Sequence, residues 1–169
     1  MLALYEPDIP QNCGTMLRAC ACLGSDAAIV EPAGFPASDR HFRRAGMDYL
    51  DHVRIDRHAS FAAFETWRRA QGRRLALLTT TGATSIWDFV FQPGDILMVG
   101  RESAGAPAHV HAAADARLAA PLRPGLRSLN VAVAASLALG EALRQARAFP
   151  RESTPHAPAL ARDLRDPKV

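Results

Sequence analysis

Short apolar runs alternate along the chain with stretches whose apolar positions recur every three or four residues, the signatures of strands and helices. MLALYE reads as a strand, and IPQNCGTMLRACACLG as a helix stopped by Gly24. DAAIVEP is the next strand, ASDRHFRRAGMDYL a short helix and loop, and DHVRID a third strand. SFAAFETWRRAQG is an amphipathic helix with Phe61, Phe64 and Trp67 at i, i+3 and i+6, ending at Gly72. RRLALLTTTG and DILMVG are strands without alternation, which predicts cover on both faces. HVHAAADA is a short helix, RLAAPL a short strand, and SLNVAVAASLALGEALRQARA, from Ser128, the longest helix.

Strands that alternate with helices predict an α/β fold, a mostly parallel sheet with helices on both faces. In such sheets ligands bind beyond the carboxyl ends of the strands, so the strand-end loops are where chemistry is sought. After Phe149 the chain carries four prolines and scattered charge, and little to bury. Residues 1–148 therefore read as one domain and 149–169 as a flexible tail.

Composition narrows the class. The chain has 169 residues, 49% hydrophobic and 22% charged, the profile of one globular domain. No apolar run reaches the ~20 residues of a membrane-spanning helix. The start, MLALYEPDIP, has no basic lead or long apolar stretch, so it is not read as a signal peptide and the expected location is cytoplasmic. Net charge is +3, and Lys168 is the sole lysine. That arginine bias suits bidentate phosphate pairing, and equally suits the codon usage of a GC-rich genome. Cys13, Cys20 and Cys22 make no disulfide framework and, with no suitably spaced histidine, no zinc set. All three are read as small buried apolar residues.

Three loops carry candidate chemistry. EPDIPQNCGTMLR, after the first strand, places Asn12 near a helix start and Arg18 about one and two-thirds turns further on. An asparagine cap and a solvated arginine would explain both. GRESAGAP, after DILMV, combines Gly100 and Gly105, which permit close backbone approach, with Glu102 and Ser103. It is neither a P-loop nor a dinucleotide fingerprint. The third loop, rich in proline and glycine, delivers Arg127, Ser128, Leu129 and Asn130 to the last helix. Ser128 or Asn130 could cap that helix, but one end needs only one cap, and the surplus polar group points to a ligand.

In order, these loops resemble the three motifs of the SPOUT methyltransferases: N-x5-R, GxEsxG and SLN. LYEPDIPQNCGTMLRAC, EPAGF, RRAGMDY and RSLNVA are more specifically similar to the small TrmL-like tRNA 2'-O-methyltransferases, which act on the anticodon wobble nucleotide; the resemblance spans residues 2 to about 148. It implies a SPOUT fold with a C-terminal deep trefoil knot, which no periodicity could reveal. It also implies S-adenosyl-L-methionine as cofactor, tRNA (the anticodon loop) as partner, a homodimer, and no membrane or metal requirement. The small residues of AVAASLALG would suit helix packing at a dimer interface, or against the sheet.

Carried over by position, the cofactor site would comprise Leu78, Thr79, Gly100, Glu102, Ser103, Ala120, Leu122, Ser128 and Leu129. The catalytic set would be Arg18, Asn12, Asn130 and Glu102. A guanidinium keeps its proton, so Arg18 is read as orienting the nucleophile and pairing with phosphate rather than as a base. Arg18 with Arg40, His41, Arg43 and Arg44 would contact RNA, although the latter four also fit a solvated charged face. Ala132 stands where some relatives have serine, and LALGEAL lacks a tyrosine that some carry. The implied reaction is 2'-O-methylation of the ribose of nucleotide 34. The alternatives are another tRNA position, ribosomal RNA, or a catalytically inactive RNA-binding module.

Overall fold

The computed structural model describes residues 1–150 except Ala83; beyond Pro150, the expected tail lies outside the described residues. The strands are β1 (Leu2–Tyr5), β2 (Ala27–Val30), β3 (Ile55–His58), β4 (Leu75–Leu78), β5 (Thr84–Ser85), β6 (Ile96–Val99) and β7 (Ala116–Ala119). The helices are α1 (Pro10–Leu23), α2 (Arg40–Gly46), α3 (Phe61–Ala70), α4 (Ala108–Ala113) and α5 (Val131–Ala146), with a 3₁₀ turn over Met47–His52.

The seven strands form one sheet in the order β3-β2-β1-β6-β4-β7-β5, and every pairing between strands is parallel. β1, β2, β4 and β6 are buried at every residue, as their unbroken apolar runs predict. The pleat sends Leu2 and Leu4 to a core that includes Cys13, Leu17, Phe42, Ala135 and Leu139 of α1, α2 and α5. It sends Ala3 and Tyr5 to a second core with Phe64 of α3 and Val110 of α4. Helices therefore cover both faces.

Several expectations shift. The last helix begins at Val131, not Ser128, because Asn130 is its N-cap. The third strand begins at Ile55; Asp51 and His52 of the expected strand end the 3₁₀ turn, and Val53 and Arg54 link the two. The strand of RLAAPL ends at Ala119, two residues short of Pro121, which has no N–H to give a neighbour. β5, only two residues long, carried no periodic signal; it pairs with β7 after Gly82 passes against the backbone of Leu118 and Ala119. Cys13 and Cys20 are buried, and burial pushes both thiols up to about 12. Cys22 is exposed, contrary to expectation, because it lies two residues from Cys20 and so on another side of α1.

Candidate active site

β6, β4 and β7 lie side by side and end together at Val99, Leu78 and Ala119. Beyond these ends is a cavity of about 560 Å³, the size of a small-molecule site. Leu78, Thr79, Gly100, Glu102, Ala120, Leu122, Ser128 and Leu129 all line it, as do Asn12 and Asn130. Segments far apart in sequence thus converge because three parallel strands end at one level. Ile9, Thr80, Arg101, Ala106, Arg127 and Ala134 line it as well. None of them was among the expected site residues, although Ile9, Arg101, Ala106 and Arg127 lie within the motif stretches.

At Gly100 and Gly105 the wall is backbone. A Cβ on Gly100 would stand 2.4 Å from Ala106 N and 2.6 Å from Gly105 C, so only glycine lets the loop fold back on itself. The fold-back is held by paired backbone hydrogen bonds between Arg101 and Gly105, of 3.2 and 2.8 Å. Gly105, at φ 69°, makes the turn.

This loop is tied to the one after β1 by two carboxylates. Glu102 N–H donates to Asp8 Oδ1 (3.0 Å), and Asp8 N–H donates to Glu102 Oε2 (3.4 Å). The Ser103 hydroxyl donates to Asp8 Oδ2, which takes Ser103 out of the cavity lining. Arg101 is ion-paired with Glu6 beside them. Burial, and then the neighbouring Asp8 carboxyl, push Glu102 up to about 7. Asp8 is held below its usual value: burial works against its ionised form, but hydrogen bonds with Glu102 and Ser103 outweigh it. Near neutrality one carboxyl of the pair is ionised while the other holds a proton for much of the time. Glu102 Oε1 is buried with no hydrogen-bond partner among the described residues, in a residue that lines the cavity. Sequence reasoning missed Asp8; its one signal was an acidic residue in a strand-end loop.

The third wall is the start of α5. Asn130 Oδ1 accepts from Ala132 N (2.9 Å) and Val133 N (3.3 Å), capping the helix. Asn130 Nδ2 donates to Asn12 Oδ1 at 3.0 Å. Asn12 is not the cap of its own helix: it sits in the first turn of α1, whose cap position is Ile9. Ser128 is exposed in the loop before the cap.

Arg18 is not brought to the cavity of its own chain. Its guanidinium carbon lies 4.6 Å from the centre of the Tyr49 ring, and Nη1 is 3.3 Å from Met47 Sδ. Arg40, His41, Arg43 and Arg44 are on the outer side of α2, with no ion pair among the described residues. The described residues contain no helix long and apolar enough to cross a membrane and no group of three or more metal-ligating side chains.

The model of the SpoU rRNA Methylase family matches residues 1–140, the span that holds all three loops. The chain belongs to this family. A family relative, the tRNA (cytidine(34)-2'-O)-methyltransferase of Beijerinckia indica, is 68% identical over 149 residues, covering 88% of this chain and 93% of its own. The protein of the same name from Escherichia coli K12 is 40% identical over 146 residues, 85% of this chain and 92% of its own. A solved structure described as giving structural insights into the 2-OH methylation of C/U34 on tRNA superposes with a TM-score of 0.82 at 40% identity, over 86% of this chain and 95% of that one. The SpoU methyltransferase AviRb of Streptomyces viridochromogenes, solved with its cofactor AdoMet, superposes at 0.79 with 27% identity, over 86% of this chain and 60% of that one.

The residues present fit that cofactor. The cavity offers the apolar Leu78, Ala120 and Leu122 and the bare backbone of Gly100 for the cofactor's ring, with the polar Thr79, Glu102 and Ser128 beside them for its polar groups.

Proposed function

We infer that this chain is an S-adenosylmethionine-dependent methyltransferase that modifies the ribose 2'-hydroxyl of the wobble nucleotide, cytidine or uridine 34, in tRNA. The observation that carries the reading is the convergence of the three loops on one cavity, in a chain 68% identical to a protein named for that reaction. S-adenosylmethionine supplies an electrophilic methyl group on a sulfonium sulfur. The chain's own residues must then align a hydroxyl with it and manage that hydroxyl's proton.

The geometry and the family motifs support a role for each group. Gly100 and the Arg101–Gly105 fold-back give the cofactor a close backbone wall. Asn130 and Asn12 hold the start of α5 against α1. Glu102, anchored by Asp8, fixes its loop at the wall of the cavity. Arg18 orients the nucleophile and pairs with phosphate, and Arg40, Arg43 and Arg44 extend that positive surface along the RNA.

The active unit in this reading is a homodimer, at work in the cytoplasm. Two features support the pairing. Arg18 stands away from the cavity of its own chain, so a second copy is needed to bring such an arginine to it. Leu129, Val133 and Leu137, at 39, 50 and 40% exposure, leave an apolar strip at and beyond the start of α5. The implied knot belongs to the same reading, supported by the passage of Gly82 against the backbone of Leu118 and Ala119.

The test is methyl transfer from labelled S-adenosylmethionine to bulk tRNA from cells lacking this protein, with the product mapped by nuclease digestion. A 2'-O-methylated pyrimidine at position 34 is expected. Label at another ribose would overturn the substrate, and absence of label despite cofactor binding would overturn the activity.

A further inference from the structure

Arg18 is held by a device that the cavity does not explain. Gly14 and Arg18 are one turn apart on the same face of α1. A Cβ on Gly14 would stand 2.6 Å from Phe42 O and 2.9 Å from Gly46 N, so glycine there lets α2 lie directly on α1. α2 then ends at Met47, whose φ of 51° and ψ of −146° are uncommon for a residue with a side chain. The chain turns back as the 3₁₀ segment Met47–His52, packed along α1. That turn lays the Tyr49 ring and the exposed Met47 sulfur against the guanidinium.

The chemistry of these neighbours matters. Among the described residues no carboxylate pairs with Arg18. A carboxylate would fix the side chain but occupy the N–H edge that binds phosphate or a hydroxyl. An aromatic face fixes the plane by cation–π attraction and leaves in-plane N–H groups available. Met47 Sδ, a weak acceptor, takes up only one of the five donors.

We propose that Tyr49 is a positioning residue for methyl transfer: its ring holds the Arg18 guanidinium by stacking, so that the free N–H edge meets the RNA without a competing carboxylate. The proposal rests on the reading of Arg18 as the group that orients the 2'-hydroxyl. Tyr49 itself does not line the cavity of its own chain, and acts through Arg18.

The experiment compares Tyr49→Leu, Tyr49→Phe and Arg18→Ala, with and without Tyr49→Leu in the Arg18→Ala background. Each is assayed for kcat and KM on tRNA, for cofactor dissociation constant and for thermal unfolding. Tyr49→Leu is expected to lower kcat on tRNA roughly tenfold, within the range that misplacing a reacting group produces. The cofactor dissociation constant and the unfolding midpoint should stay near those of the unsubstituted chain. Tyr49→Phe keeps the ring face and should lose less than about threefold. Tyr49→Leu should cost nothing further once Arg18 is alanine. The proposal is overturned if Tyr49→Phe falls as far as Tyr49→Leu, if Tyr49→Leu retains full turnover, or if it costs the same with and without Arg18. Should Tyr49→Leu fail to fold, Tyr49→Met, which also lacks a ring, takes its place with the same outcomes. An Arg18→Ala enzyme that keeps its turnover would instead overturn the role of Arg18, a result distinct from loss of the Tyr49 effect alone.

Discussion

Asn130 and Asn12, 118 residues apart, are joined by a 3.0 Å hydrogen bond while Asn130 also caps α5. One side chain thus starts the last helix and pins it to the first. The amide is suited to this: its oxygen accepts from two backbone N–H groups, and its nitrogen still has donors to give. A serine cap would offer one O–H donor from a shorter side chain. The second polar group of Ser-Leu-Asn is therefore not a second cap: Asn130 does the capping and cross-linking, and Ser128 faces the cavity.

Removing the two ends of this link should have unequal effects. Asn130→Ala loses the cap and the cross-link together and should cost about 1.5–2 kcal/mol of stability by denaturant titration. Asn12→Ala loses only the cross-link and should cost about 0.5–1 kcal/mol. Both should weaken cofactor binding in calorimetric titration. Equal stability losses, with no effect of either on the cofactor, would show that the link does not shape the cavity.

The Asp8–Glu102 pair predicts a pH dependence. Glu102 has a folded-state value of about 7, raised by burial and by Asp8 from an ordinary 4.5. A raised carboxyl pKa means that the folded state holds the proton more tightly than the unfolded state. Its contribution to stability is full below about pH 4.5 and is lost as pH rises through about 7. Between those values Glu102→Gln, which cannot ionise, should show a flatter profile of denaturation midpoint against pH. Identical slopes for the two proteins would contradict the assignment.

Gly100→Ala should damage the cavity specifically. The added methyl would lie 2.4 Å from Ala106 N, and backbone cannot yield as a flexible side chain can. We expect a stability loss of about 1–3 kcal/mol, as for other overpacked sites. Cofactor affinity should fall roughly tenfold or more. Gly72→Ala is the comparison: a Cβ there meets nothing within 4 Å, although its φ of 62° is strained for alanine. It should lose stability without losing cofactor affinity.

The arginines of α2 make a prediction about salt. Replacing Arg40, Arg43 and Arg44 with alanine should weaken tRNA binding. It should also reduce the slope of log affinity against log salt by up to about three, roughly one for each phosphate left unneutralised. Cofactor binding should not change. A salt slope that matches the unsubstituted protein would return these residues to the solvated face that the sequence equally allowed.

Much of the architecture was legible in the chain. Unbroken apolar runs such as LALL and ILMV marked buried parallel strands, because cover on both faces leaves no polar side to alternate with. Gly24 ends α1 in the left-handed conformation that glycine favours, as its position after the apolar pattern suggested. The motif residues marked the loops that line one cavity, because strand-end loops gather beyond the sheet in this class of fold. β5 escaped notice because two residues have no period, and the start of α5 was misplaced because Ser128 and Asn130 are equally good caps on paper.

From the chain alone came the order of every element but β5, the two-faced cover of the sheet and the family, since these rest on local periodicity and on motifs read in order. Only the tertiary structure decided which loops meet. It set β6 beside β4 and β7, brought Asp8 against Glu102, and turned Tyr49 onto Arg18. Such contacts are set by how strands and helices bury their apolar faces together, over separations that no local pattern encodes. The same burial decides charge. Glu102 looks like any glutamate along the chain, and it is pushed up to about 7 only because the folded sheet takes it out of water and puts Asp8 beside it.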